Sequence, residues 1–344
     1  MKIFMIRSPW RAVKAGYVGY GWAKVDFSQY QDTKALSDAF KQHYPTGVGR
    51  KTKNIERFFN LKEGDIVLVP SSKSVSIGKV KGKKKFNREW TKDNAGNLVS
   101  VDFCKVDGRV LKIARSDFSG QLGSRLKVRT AIANFNQFKD EINRIMDWIE
   151  KTGEVYRHSN YFSAQVELAK QKFKKELLQS IRKGSIWLEA GGRGLEELIR
   201  EMLKIDGYQA KIKSKKQLSG IADIDIEAKK QASGIADIDT EVEKKNRFSK
   251  THLLIQAKHH KGETNGHGLK QLIAYKDKDD DVDCQKWLIT TAKVSDKNKQ
   301  LAEQHNINIM EGEELVDWIY ESIPHLSEKT KQALGIMEIP SLLK

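Results

Sequence analysis

Gln256, Ala257 and Lys258 form the run of this sequence whose residue types and spacing are best suited to chemistry. They follow the apolar residues Leu253, Leu254 and Ile255, a pattern typical of a buried β-strand. Residues two apart on a strand project from the same face, so the Gln256 amide and the Lys258 ammonium point together. Oxygen ligands that converge beside a cation are what metal-dependent phosphodiester hydrolysis requires, and the Ala257 carbonyl adds a third candidate oxygen.

An aspartate at the end of a neighbouring strand would complete such a cluster, and the sequence offers two. The run Ser219–Asp225 recurs almost at once as Ser233–Asp239, and both copies read SGIADID. Asp239 precedes Gln256 by 17 residues, which suits two paired strands and their turn, whereas Asp225 precedes it by 31. A strand ending at Asp225 needs an inserted excursion, so the spacing favours Asp239 and leaves Asp225 open.

Three regions must position these residues. Residues 1–115 contain short apolar runs separated by turn residues, with one helix predicted over 32–43, which indicates a compact β-barrel-like domain. Residues 116–183 have helical periodicity and are predicted to form a connector. Residues 184–344 alternate helix and strand patterns, as in an α/β domain with a mixed central sheet. The fold class expected is therefore a multidomain α+β protein.

The charge is concentrated in the first region. The chain has 62 Lys and Arg against 45 Asp and Glu, a net charge of +17. Residues 1–115 hold 24 of the basic and 10 of the acidic residues, so that +14 lies there. A concentrated positive field is typical of a protein that binds a polyanion, and double-stranded DNA is the partner expected. The residues expected to grip its phosphates are Lys79, Lys81, Lys83, Lys84, Lys85 and Arg88.

Aromatic residues gather near the amino terminus of the same region. Trp10, Tyr17, Tyr20 and Trp22 are candidates for a pocket that stacks a flipped base. The competing interpretation is that each ring belongs to the hydrophobic core, which is the favoured reading for any single one of them.

Several classes of protein are disfavoured by the sequence. Cys104 and Cys284 are 180 residues apart, which speaks against a disulfide framework or a cysteine zinc site. No run approaches the roughly 18 to 20 apolar residues of a membrane span, so we expect a cytoplasmic protein without a membrane partner. No GxxxxGK[ST] run occurs, so no nucleotide cofactor is expected.

An ordered series of runs resembles the Mrr-like branch of the PD-(D/E)xK nucleases over about 140 residues. The runs are Gly194–Ile199, Asp206–Tyr208, Gly234–Asp239, Leu254–Lys258, Leu288–Thr291 and Ile309–Leu315. In the first region, Gly64–Pro70 followed by Ile77–Val80 resembles PUA-like domains, a superfamily that includes readers of modified bases. Gln256 stands where most PD-(D/E)xK nucleases have an acidic residue, as it does in Mrr-like enzymes and the MspJI family.

The resemblance implies a Mg²⁺-dependent DNA endonuclease, with Mn²⁺ as a plausible substitute. Asp239, Gln256 and the Ala257 carbonyl would hold the ion, and Lys258 would orient the attacking water or stabilise the phosphate. Glu196 matches the family's helix carboxylate and is a candidate for a second metal or an outer position. The resemblance further implies a type IV-like restriction enzyme of antiphage defence that recognises modified, methylated DNA through its first domain. Cutting both strands implies a homodimer or higher assembly.

Two alternatives remain open from the sequence. The first is an endonuclease that acts on unmodified DNA of fixed sequence. The second is a nucleic-acid-binding protein whose nuclease site has decayed, which the loss of a charge at Gln256 and the internal duplication would permit.

Overall fold

The computed structural model divides the chain into two compact units, residues 1–165 and 166–344. It describes residues 1–189, 192–213, 223–230, 247–248, 252–262, 266–275, 284–340 and 342. No helix among these residues has the length and apolar content needed to cross a lipid bilayer.

The first unit is built on a seven-stranded mixed sheet with helices around it. Its strands are β1 (Ile3–Ile6), β2 (Tyr17–Tyr20), β3 (Ile66–Pro70), β4 (Ser74–Phe86), β5 (Asn97–Phe103), β6 (Lys105–Val106), β7 (Arg109–Val110), β8 (Ile113–Ala114) and β9 (Ile132–Asn134). Its helices are α1 (Trp10–Lys14), α2 (Thr33–His43), α3 (Thr52–Phe59), α4 (Gly120–Arg125) and α5 (Lys139–Thr152). The helix predicted over 32–43 is confirmed as α2, which starts where the Asp32 carboxylate accepts a hydrogen bond from the Ala35 amide.

The sheet of the first unit runs in the order β2-β5-β4-β3-β1-β9, with β8 paired to β4 and β6–β7 forming a separate ribbon. Every residue of β3 is buried, because each face of the strand packs into a separate hydrophobic core. Val67 and Val69 pack with residues of α2 and α3, and Ile66 and Leu68 pack with residues of α4 and α5 on the other face. The unit is therefore a sheet with helices on both faces.

Two expectations about this part of the chain differ from the structure. The predicted barrel is not confirmed, because β2 and β9 are the outer strands and no pairing between them closes the sheet within residues 1–165. The predicted connector, residues 116–183, is not a separate body. Its first part supplies β9, which pairs with β1, and α5, whose Ile142, Ile145 and Ile149 fill the second core.

The second unit holds a five-stranded sheet and its covering helices. Helix α6 (His158–Lys183) runs across the boundary between the units at residue 165. The remaining helices are α7 (Arg193–Ile205), α8 (His267–Ala274), α9 (Asp296–Gln304), α10 (Gly312–Ser322) and α11 (Glu328–Leu334). The strands are β10 (Tyr208–Ile212), β11 (Ile226–Lys230), β12 (His252–Lys258), β13 (Cys284–Thr290) and β14 (Ile307–Met310).

This second sheet is mixed, as the sequence predicts, and runs in the order β10-β11-β12-β13-β14. Strand β12 lies at its centre, antiparallel to β11 and parallel to β13. Leu253, Ile255 and Ala257 pack into the core formed with α6, α7 and α10. Leu254 packs on the opposite face, against α8 and α9. The alternation places Gln256 and Lys258 on the face of Leu254.

Candidate active site

The centre of the candidate site is a contact between β12 and the residue that precedes β11. Ile226 pairs with Ile255, so Asp225 lies opposite Gln256 as the register continues. One carboxylate oxygen of Asp225 accepts hydrogen bonds from Nε2 of Gln256 and, at 2.9 Å, from the Ala257 amide. Asp225 is only 5% exposed and Gln256 is fully buried. The site thus joins a charged and an amide side chain at the end of two neighbouring strands.

The oxygen of the Gln256 side chain distinguishes this cluster from an ordinary buried hydrogen-bond pair. Because Nε2 donates to Asp225, Oε1 faces elsewhere, and this buried atom has no hydrogen-bond partner among the residues that the structure describes. An unsatisfied buried acceptor of this kind needs an explanation, and an ion is one. The Ala257 amide faces Asp225, and the carbonyl of a strand residue points to the same side as its amide. The Asp225 carboxylate, the Gln256 amide and the Ala257 carbonyl thus offer the kind of oxygen that hard cations bind.

No three His, Cys, Asp or Glu side chains gather into a metal site among the residues that the structure describes. A nearby carboxylate on the same sheet face, Glu227, is already engaged: Lys213 lies 2.6 Å and His252 3.1 Å from it. Burial raises the pKa of Glu227, but the hydrogen bond from Lys213 and that from His252 outweigh this and hold the pKa below its usual value. Asp225 is thus the carboxylate in direct contact with Gln256, and the amide and carbonyl oxygens would complete the ligand set.

Lys258 is the last residue of β12, and its side chain crosses the first turn of α8. A Cβ atom placed on Gly268 would lie 2.9 Å from both Cγ and Cε of Lys258 and 3.0 Å from Leu288 Cδ1. Only glycine leaves room for the lysine stem there. Burial, then the charges of Lys258 and His259, lower the pKa of His260. Lys258 therefore lies near a histidine whose neutral form is favoured.

Glu196 lies in the first turn of α7 and is 8% exposed. The Arg193 guanidinium is 3.8 Å from its carboxylate. Helix α7 packs on the face of the sheet that holds Ile255 and Ala257, opposite the face of Gln256 and Lys258. Glu196 is thus placed on a different layer from the Asp225–Gln256 contact.

Of the two aspartate copies, the structure brings Asp225 to Gln256, and Asp239 lies outside the described residues. Residues 231–251 separate β11 from β12 along the chain. This long connection is the insertion that a strand ending at Asp225 requires. A sequence signal for this choice exists. Asp225 is followed by Ile226, which is fully buried in the core, whereas Thr240 follows Asp239. Ile is the better residue for a buried strand position, so the first copy fits β11.

The aromatic candidates of the first unit do not share one pocket. Tyr17 and Tyr20 are three apart on β2 and so face opposite sides of the sheet. Tyr20 is buried with its ring 5.3 Å from that of Phe58. Burial raises the pKa of the Tyr20 hydroxyl, and a hydrogen bond with the Trp22 side chain offsets part of this. Trp10 lies beneath the Lys112 ammonium, which is 3.9 Å from its ring. Of the four candidates, Tyr20 and Trp22 are the two whose side chains share a hydrogen bond.

The basic candidates divide into an exposed stripe and a half-buried lysine. Lys79, Lys81, Lys83 and Lys85 alternate along β4 and are all exposed, and Arg88 is exposed in the 3-10 turn that follows. Lys81 lies 3.6 Å from the Asp102 carboxylate. Lys84 instead points to α3, with Nζ 3.7 Å from the Phe59 ring centre, and burial lowers its pKa. Lys84 thus differs from the other five residues in its burial, and its contact with phosphate stays a prediction.

The sequence interpretation missed Gly268, since no local pattern shows that a helix turn will cross Lys258. It also missed Thr291, whose backbone amide donates to the Lys258 carbonyl at 3.2 Å. A glycine in the first turn of the helix after β12 is the signal that could have indicated a close approach.

Comparison with known proteins finds a family match within the second unit. No curated protein matches the chain. A solved structure similar to it is "MspJI Restriction Endonuclease in Complex with 27-mer Oligonucleotide", with 14% identity over 96% of this chain and 76% of that chain and a TM-score of 0.22. Residues 188–319, which include Asp225, Gln256 and Lys258, match the family Mrr_cat, described as a restriction endonuclease. The second unit therefore contains a segment that matches the Mrr_cat restriction endonuclease domain.

Proposed function

We propose that this chain is a metal-dependent DNA endonuclease that hydrolyses phosphodiester bonds at the site of Asp225, Gln256 and Lys258. One observation carries the proposal: a buried carboxylate holds a buried amide whose oxygen has no hydrogen-bond partner within the described part of the chain, with a lysine two residues further along the strand. The match of residues 188–319 to a restriction endonuclease domain supports the same class of reaction.

A divalent ion, Mg²⁺ or its substitute Mn²⁺, fits the oxygens at this position. The Asp225 carboxylate, Gln256 Oε1 and the Ala257 carbonyl would hold it, in keeping with the preference of both ions for oxygen ligands. When bound, the ion would supply positive charge that polarises the scissile phosphate. Asp225 would be the single charged ligand of this set, because Gln256 brings an oxygen without a charge.

The residues of the chain have separate roles in this proposal. Asp225 accepts the Nε2 hydrogen bond and so fixes the orientation of the Gln256 amide. Lys258 is half-buried rather than enclosed, so its ammonium can reach a phosphate while its stem is held by α8. A fixed cation beside the developing negative charge stabilises the transition state. Glu196 remains a candidate for an outer position, and Asp225 replaces Asp239 as the preferred aspartate.

Recognition of DNA is assigned in this proposal to the first unit. Its excess positive charge and the exposed lysines of β4 suit phosphate contacts, which position a duplex without specifying its sequence. Discrimination would come from the modified base itself, which makes the chain a modification-dependent restriction enzyme of antiphage defence in the cytoplasm. A homodimer or higher assembly would supply the second active site needed to cut both strands.

Cleavage of four matched plasmids tests this function: unmodified, cytosine-methylated, hydroxymethylated and adenine-methylated, each with Mg²⁺ and then Mn²⁺. We expect one modified plasmid to be cut and the unmodified plasmid to survive. Equal cutting of all four would keep the nuclease and reject modified-base recognition. Tight binding without cutting of any plasmid would favour a decayed nuclease.

A further inference from the structure

The last turn of α6 is hydrogen-bonded to the ends of two strands of the second sheet. Nε2 of His259 lies 2.8 Å from the Ile181 carbonyl, and the Arg182 Nε donates to the Thr291 carbonyl at 2.6 Å. His259 directly follows Lys258, and Thr291 directly follows β13. We refer to Ile181, Arg182, His259 and Thr291 as the α6 brace. All four residues lie within the second unit.

Thr291 links the brace to the main chain around Lys258. Its amide donates to the Lys258 carbonyl at 3.2 Å. Its hydroxyl accepts from the His260 amide at 3.0 Å and donates to the His260 carbonyl at 2.8 Å. The backbone on both sides of His259 is therefore tied to Thr291, and Arg182 in turn fixes Thr291.

The fit around Thr291 is close. A Cβ on Gly312 would lie 2.5 Å from the Thr291 carbonyl oxygen and 2.9 Å from Arg182 Nη2. The start of α10 thus closes over the Arg182–Thr291 bond, with no space for a side chain. Such a packed arrangement resists small shifts of the strand ends.

The α6 brace lies where the strand pairing of β12 ends. Lys258 is the last residue of β12, so the chain beyond it has no continuing ladder with β11. The direction of a lysine side chain is set by its backbone, and a misplacement of about 1 Å at a reacting group lowers rates by about 100-fold. Residues that fix the backbone after Lys258 therefore control where its ammonium lies.

We propose that His259 is a positioning residue for Lys258, acting through its hydrogen bond to the end of α6. The inference rests on the proposed function, because it assigns Lys258 to catalysis. His259 donates from Nε2 to the Ile181 carbonyl in the last helical turn, and this carbonyl also accepts the Gly184 amide at 3.1 Å. Its side chain bonds to α6 and lines a cavity with Ile181 and Leu195, on the face of the sheet opposite Lys258.

The chemistry of the bond indicates matched variants. His259→Gln keeps a donor in the position of Nε2, whereas His259→Leu keeps bulk and removes the donor. His305→Leu, at an exposed position after α9, is a control for the same chemical change. The measurements on the full chain are the single-turnover cleavage rate, the DNA dissociation constant, the melting temperature and amide hydrogen exchange at 258–260.

We expect His259→Leu to lower the cleavage rate about 10- to 100-fold and to speed exchange at 258–260, with DNA affinity and melting temperature unchanged. His259→Gln should restore both the rate and the protection, and His305→Leu should match the wild type. Normal cleavage and exchange in His259→Leu would overturn the inference. Equal defects in the Gln and Leu variants would also overturn it, because packing would then explain them. If the wild type cuts no DNA, the proposed function fails, and hydrogen exchange still decides whether His259 holds the strand end.

Discussion

Asp225 and Gln256 are separated by 31 positions in the chain, and the carboxylate of the first accepts a hydrogen bond from the amide of the second. The same carboxylate oxygen receives the Ala257 amide. A single buried side chain thus orients the Gln256 amide and closes the end of the β11–β12 pair. This contact is the reason for placing Asp225, and not its copy 14 residues later, in the candidate active site.

Replacement of each aspartate separately distinguishes the two copies. Asp225→Asn keeps the shape of the side chain and removes the charge at Gln256, so we expect the cleavage rate to fall about 100-fold or more. Asp239→Asn makes the identical chemical change in the second copy and should leave the rate within about twofold. Cleavage rates of both proteins on one plasmid give the answer. The reverse pattern would assign the site to Asp239.

Gly268 is expected to control cleavage through Lys258. In Gly268→Ala the new methyl group would meet Cγ and Cε of Lys258, so the lysine stem must move. We expect the rate to fall about tenfold while DNA affinity stays unchanged, although alanine favours a helix by about 1 kcal/mol. Gly262→Ala is the matched control, because a Cβ placed there would meet no atom of the described residues within 4 Å, its chain neighbours aside. A wild-type rate in Gly268→Ala would show that the lysine tolerates displacement.

The exposed lysines of β4 are expected to contact phosphates. A variant with three glutamines should reduce the slope of log affinity against log salt by about 0.9 for each lost contact. The positions changed are Lys79, Lys83 and Lys85. A control variant removes the same charge from three exposed lysines on and near α4 and α5. Those positions are Lys127, Lys139 and Lys151. Equal slopes for the two variants would mean that net charge alone explains the change. The lysines of β4 would then have no special contact with DNA.

Ionisation of Glu311 is expected to make the stability of the second unit depend on pH in the acid range. Burial raises the pKa of Glu311, but hydrogen bonds from the Val294 amide at 2.7 Å and Lys299 at 3.0 Å outweigh this and hold it below the usual 4.5. A carboxylate with a lowered folded pKa stabilises the fold above its unfolded pKa, and this contribution is lost as the pH falls through the folded value. The free energy of unfolding should therefore drop below about pH 4.5.

Denaturant unfolding of Glu311→Gln between pH 3 and 7 measures this contribution. The variant should lose about 1 kcal/mol at pH 7, as expected for a weakened helix cap, and show a flatter acid limb. Glu303→Gln, at an exposed position of α9, should follow the wild-type curve. An unchanged acid limb in Glu311→Gln would mean that other carboxylates govern the acid transition.

The sequence predicts those parts of the fold where local pattern and burial agree. The strand predicted at Leu253–Lys258 and the helix predicted over 32–43 correspond to β12 and α2. Continuous apolar runs and helical periodicity are strong because these elements are buried on one or both faces. The same reasoning extended a helical segment back to Ile132, where β9 instead pairs with β1, because strand pairing overrides periodicity there.

The candidate site was predictable in its residue types but not in its pairing. Gln256 and Lys258 follow from two-residue spacing on a strand. The choice between Asp225 and Asp239 depends on a register that spacing alone assigned to the later copy. Ile226 and Thr240 carry the relevant difference, because the position that follows Asp225 is fully buried in the core. The approach of Gly268 to Lys258 depends on tertiary packing, which no local pattern specifies.

Lys258→Ala is the most direct test of whether Lys258 belongs to the active site of a nuclease. The wild type and the variant are compared for single-turnover cleavage of the plasmid that the wild type cuts, in Mg²⁺, and for DNA affinity. We expect the variant to cut at least about 100-fold more slowly and to bind with a dissociation constant within twofold of the wild type. Cleavage by Lys258→Ala at the wild-type rate would contradict the assignment of the active site.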